Sequence, residues 1–120
     1  MEDKSKYELI LVIVNVGFAE SVMDAARSAG ARGGTVINAR GTAKEEMLSR
    51  FKVFMTPEKE IVLILAVKNI KEKILKVIYK QCGLNSEAHG IAFTLPVDET
   101  VGLGNSPLID VNKLEEEKQA

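Results

Sequence analysis

Two short aliphatic runs constrain the fold of this chain more than any other feature. Leu9 to Val14 reads LILVIV and Ile61 to Val67 reads IVLILAV. Both are rich in β-branched side chains, bounded by polar residues and too short to span a bilayer as helices. Neither alternates apolar with polar, so each is expected to be a strand buried on both faces.

Each run is followed by a helical pattern. Val22, Met23, Ala26 and Ala29 recur at helical spacing, and the pattern stops at Gly30, a residue type suited to the left-handed turn beyond a helix end. After the second run, Asn69 and Glu72 have the spacing of a capping box, and Ile70, Ile74, Val77, Ile78 and Cys82 form an apolar stripe that stops at Gly83. Lys71, Lys73, Lys76 and Lys80 lie mostly off that stripe and read as a solvated face. Strand-like runs then follow at Thr35 to Ala39 and Ile91 to Leu95. Strand–helix–strand used twice is the split βαβ plan, which predicts an α+β, ferredoxin-like βαββαβ fold: a four-stranded antiparallel sheet with two helices on one face.

That plan leaves the other sheet face open, and the two-sided strands make it apolar. A bare face of this kind exceeds the few hundred Å² that a soluble monomer usually exposes. Homo-oligomerisation through the open face is therefore expected. Composition agrees: 46% of the 120 residues are hydrophobic but only 5% aromatic, so the core must be built from Ile, Leu, Val and Ala. The length suits one domain, assigned to residues 1–112, with a charged tail at 113–120.

Charge and cysteine content narrow the function. Sixteen Lys and Arg against seventeen Asp and Glu give a formal charge of −1, which disfavours nucleic acid as a partner. One Cys and one His exclude an internal disulfide and a conventional structural zinc site, and a cytoplasmic location is expected. Neither a signal peptide nor membrane insertion is expected. His89 is the only imidazole, Cys82 belongs to the helix stripe, and Glu45-Glu46, Asp98-Glu99 and Glu115 to Glu117 are adjacent charges of the kind that face water. No dedicated catalytic site emerges, so the chain is read as a non-enzyme.

The segment at 42–59 is long for a connection between neighbouring strands and mixes charges with Met47, Leu48, Phe51, Val53, Phe54 and Met55. It reads either as an extended hairpin or as a docking loop. Gly33 and Gly34 ahead of a strand permit a close backbone approach by a ligand or a neighbouring subunit, though no Walker motif is present.

Taken in order, these landmarks resemble the nitrogen-regulatory P-II signalling family. GARGGTVINARG is similar to the segment leading into that family's T-loop, EIVLILAV and the lysine-rich helix follow in register, and HGIAFTLPVDETVGL resembles its B-loop, last strand and Pro-Val-Glu-Glu continuation. The resemblance implies a homotrimer, a small-molecule effector in the clefts between subunits, and a target protein, a transporter or metabolic enzyme, gripped by the 42–59 loop. Carried over, it implies ligand-binding roles for Gly33, Gly34 and Thr35 on the adenine side, Gly41 and Thr42 at the loop root, Lys59 at its far end, and His89 and Gly90 in the B-loop.

Departures from the family pattern reshape the expected ligand. The B-loop lysine falls on Ile91, and two arginines fall on Gly102 and Gly104. At about 1.5–3 kcal/mol for each hydrogen bond to a charged group, losing all three weakens triphosphate binding by several kcal/mol, or at least about a thousandfold. ATP in the usual pose is disfavoured, and ADP or AMP becomes the expected nucleotide. Glu45 stands near the position that contacts 2-oxoglutarate and would repel a dicarboxylate, while Arg40, Lys44 and Arg50 are the available replacement cations. The alternatives are a trimeric interaction module with a degenerate ligand site, and a CutA-like metal-binding trimer.

Overall fold

The computed structural model describes residues 6–42 and 57–103. Expectations for Glu45, Gly104, the bulk of the 42–59 loop and the 113–120 tail lie outside these residues.

β1 spans Tyr7–Asn15, α1 Ala19–Ser28, β2 Thr35–Arg40, β3 Glu58–Val67, α2 Lys71–Cys82 and β4 Ile91–Pro96. The strands form one sheet in the order β2-β3-β1-β4, with every neighbouring pair antiparallel. This is the ferredoxin-like α+β arrangement expected from the sequence. The two aliphatic runs are the central strands, each extended beyond the apolar block by polar residues. Because β3 begins at Glu58, both Glu58 and Lys59 are strand residues, and the connection from β2 covers 41–57. Among the described residues no helix is long and apolar enough to cross a membrane.

Alternation along the central strands sorts their side chains. Ile10, Val12 and Val14 of β1, with Val62, Ile64 and Ala66 of β3, are buried against the helices. Each fully buried Val or Ile contributes about 1.5–3 kcal/mol of transfer free energy. Val22, Met23 and Ala26 from α1, with Ile74, Ile78 and Cys82 from α2, complete that core. Burial pushes the Cys82 thiol up, which keeps it in the inert protonated form.

Helix ends follow two different rules. At the end of α1 the Ala31 and Gly30 amides donate to the carbonyls of Ala26 and Arg27, and Gly30 has φ +110°, a Schellman ending that favours glycine. Gly83 after α2 has φ −71°, so conformation does not demand glycine there. Space does: a Cβ would lie 2.5 Å from the Tyr79 carbonyl oxygen. The expected capping box does not form, since Lys68–Ile70 is a turn of 3-10 helix and α2 starts at Lys71 without a side-chain cap. The 3-10 turn takes Asn69 out of the N-cap position.

α1 also lacks a cap from its own segment. A carboxylate from β3 takes that role: Glu60 Oε1 accepts from the amides of Gly17 at 2.8 Å and Ala19 at 3.1 Å. These bonds fasten the β1–α1 turn to the sheet and place negative charge at the helix N-terminus. Glu60→Ala is expected to lower unfolding free energy by about 1–2 kcal/mol, read from the urea midpoint at unchanged m-value.

The sheet face turned away from the helices is apolar across all four strands. Residues directly opposite share a face, giving the rows Phe93–Leu11–Leu63–Thr35 and Ile91–Ile13–Ile61–Ile37. A third row, Leu95–Leu9–Leu65, runs beside them. The β4 members of these rows stay open in the protomer, with Ile91 51%, Phe93 43% and Leu95 45% exposed. The expectation of strands buried on both faces is met on one side within a single chain, and the other side is open in the protomer.

Candidate functional site

The residues singled out in the sequence fall into two groups at opposite ends of β2. Gly33, Gly34 and Thr35 precede and open the strand; Gly41 and Thr42 follow it. Six residues of strand separate them by about 20 Å. One chain therefore does not bring both groups onto one small ligand.

At the first end, the α1–β2 connection and the end of β3 border a cavity of about 900 Å³. Gly33, Gly34 and Thr35 line one side, Leu63 and Val67 another, and the cationic side chains there are Lys6 and Arg32. The two glycines differ in kind. A Cβ on Gly33 meets nothing within 4 Å, whereas one on Gly34 would lie 2.8 Å from Met23 Sδ and 2.9 Å from the Leu63 carbonyl oxygen. Gly34 is a packing glycine where the loop crosses the sheet; Gly33 faces open space.

At the second end, three segments converge. Lys59 opposes Ala39 of β2 and Asn15 of β1 in the sheet register. Its Nζ donates to Asn15 Oδ1 at 2.6 Å, and its stem crosses Gly41, where a Cβ would sit 3.1 Å from Lys59 Cε. The Gly41 amide donates to the Pro57 carbonyl at 2.6 Å, closing the loop root. Burial pushes the Lys59 ammonium pKa down. Among the described residues no ion pair of Lys59 offsets that desolvation.

His89 and Gly90 enter this end through the α2–β4 turn. His89 has φ +47°, a left-handed conformation that costs a non-glycine residue energy and is found where the surroundings over-determine it. Its amide donates to the Ser86 carbonyl, and the Gly90 amide donates to that of Cys82 at 2.7 Å. A Cβ on Gly90 would lie 2.1 Å from the Cys82 carbonyl oxygen, so glycine is required here by the close seating of β4 on the end of α2.

Two departures noted in the sequence have structural counterparts. Ile91 stands in the open-face row with Ile13, an apolar member of the sheet. Gly102 has φ +92°, a conformation that an arginine would rarely adopt, so the backbone itself is built for glycine there. Among the described residues no three His, Cys, Asp or Glu side chains gather as a metal site.

Sequence reading missed Asn15, Lys6 and Arg32. Asn15 had a detectable signal: it is the polar residue that ends an unbroken aliphatic strand, and it is only 5% exposed.

Comparison with known proteins agrees with the fold. The family model described as nitrogen regulatory protein P-II matches residues 7–104. No curated protein matches the sequence. Among solved structures, the PII protein of Arabidopsis thaliana bound to citrate is similar at 24% identity and TM-score 0.63, covering 85% of this chain and 84% of that one. A DUF3240 family protein from Shewanella baltica aligns at 15% identity and TM-score 0.62, over 83% of this chain and 99% of its own. A PII-like signaling protein from Thermus thermophilus aligns at 15% identity and TM-score 0.57, over 74% of this chain and 83% of its own.

Proposed function

Since the chain belongs to the nitrogen regulatory protein P-II family, we propose that it works as a homotrimeric signalling protein with a small anionic effector in the cleft between subunits. The observation that carries this reading is the separation of the candidate site into two halves. A ligand that needs both the Gly33–Thr35 edge and the Lys59–His89 end must draw them from different chains. Packing the open apolar faces around a threefold axis supplies such neighbours and removes the exposed rows from water.

The effector is a mono- or diphosphate nucleotide or an organic acid in preference to ATP. Lys59, His89 and the turn amides supply few charges, and Ile91 and Gly102 offer none where a phosphate chain would need them. The citrate held by the Arabidopsis relative is an anion of the appropriate size class. Binding alters the order of the loop rooted at Gly41 and Thr42, and that loop contacts a target protein. The chain acts through binding, without catalysing a reaction.

Thermal-shift measurements test this reading. ADP, AMP or citrate at a hundredfold excess over Kd should add about 2.7 kcal/mol of stability and raise Tm by about 10 °C, with ATP at the same concentration giving less. Gly33→Ala should keep the unliganded Tm, because its Cβ meets open space, and should lose the ligand-induced rise. No stabilisation by any of these ligands at millimolar concentration would sink the sensor reading.

A further inference from the structure

Asn15 occupies the junction between the loop root and the α2–β4 turn, and its amide is used in both directions. Oδ1 accepts from Lys59 Nζ at 2.6 Å, while Nδ2 donates to the Glu87 carbonyl at 3.0 Å. Its backbone amide donates to the neighbouring Ala88 carbonyl at 2.9 Å. A buried amide at the end of an aliphatic strand is costly unless both of its ends are satisfied. Here one end is satisfied by a cation from the 41–59 region and the other by the turn that carries His89.

We propose that Asn15 is a positioning residue that couples the two halves of this end, so that ordering the α2–β4 turn fixes Lys59 over Gly41 and loosening either releases the other. The mechanism is a shared hydrogen-bond donor and acceptor on one rigid planar group. If Lys59 leaves, the carboxamide loses the bond that orients it, and the Glu87 carbonyl loses a well-aligned donor. If the turn moves, Oδ1 swings away from the ammonium, which is then free to meet an anion. Lys59 is desolvated and, among the described residues, held by a neutral carboxamide with no ion pair, which makes this an equilibrium that a ligand can bias. The purpose of the coupling rests on the sensor reading, whereas its existence does not, so the test uses protein without ligand.

Amide hydrogen exchange at Gly41, Asn15 and His89, corrected for global stability, reads the coupling directly. Lys59→Met keeps the aliphatic stem over Gly41 and removes only the ammonium. It should speed exchange at Asn15 and His89 by about tenfold, the order expected for loss of one charge-assisted bond. Asn15→Asp separates the two directions: its carboxylate still accepts from Lys59 but offers nothing to the Glu87 carbonyl. Protection at Gly41 should persist while protection at His89 falls. A purely structural role for Asn15 would instead give Lys59→Met effects confined to 41 and 57–60, and that outcome overturns the proposal. So does full protection of His89 in Asn15→Asp. Absence of ligand binding would count against the sensor reading alone.

Discussion

Phe93→Glu is expected to sediment as a single 13.1-kDa chain at micromolar concentration, where the parent protein is expected to sediment as three. Phe93 stands at the edge strand of the open face, 43% exposed in the protomer, in register with Leu11 and through it with Leu63. A glutamate at so open a position costs the isolated chain little, typically within about 0.5 kcal/mol. In a threefold assembly the same carboxylate enters an apolar interface in every copy, with a penalty of several kcal/mol per ion. The effect thus falls on association and spares the protomer core of Ile10, Val12 and Ile64. Sedimentation velocity combined with circular dichroism separates the outcomes. A folded trimer of Phe93→Glu would mean that the open face is covered in some other way.

The second large effect is on folding. Gly90→Ala is expected to lose about 3 kcal/mol or more of stability, because its Cβ falls 2.1 Å from the Cys82 carbonyl oxygen and 3.2 Å from Val14 Cγ1. Relief requires moving β4 away from the end of α2, which breaks the bond from the Gly90 amide to Cys82 and disturbs the turn holding His89. Urea denaturation should show the midpoint falling sharply, whereas Gly33→Ala leaves it in place. Both glycines stand at positions that the family resemblance marks for ligand contact, yet only Gly33 is free of packing constraints. An unchanged midpoint in Gly90→Ala would show that the seating of β4 is loose.

The architecture was legible because the strands announce themselves. LILVIV and IVLILAV have no helical periodicity, and their two-sided apolar character led directly to the open face now seen across all four strands. The α2 stripe alone assigns Cys82 to the core, where the fold buries it. The capping box does not form, although Asn69 and Glu72 satisfy the spacing rule, because the chain turns through a 3-10 segment first. Spacing does not reveal where the first helical hydrogen bond forms.

The site was less legible, for physical reasons. Gly34 and Gly90 look like ligand-contact glycines in sequence, but their need for glycine comes from carbonyl oxygens and side chains that only the fold brings against them. Glu60 reads as one more surface carboxylate, and only the fold shows it bonded to the amides of Gly17 and Ala19. Asn15 likewise acquires its meaning from Lys59 and Glu87, partners at separations of 44 and 72 residues.

Strand order has a further consequence, for the way this chain emerges from the ribosome. β1 is made first, yet its partners are β3 and β4, and Leu9 waits for Leu65 on one side and Leu95 on the other. β2, made second, pairs with β3 at the sheet edge and offers the waiting strand nothing. At about 5–20 residues per second, translation leaves this aliphatic strand unpaired for several seconds. During that interval α1 can shield only the side destined for the helix layer, so the rows left open in the finished protomer are also those that a nascent-chain chaperone would encounter.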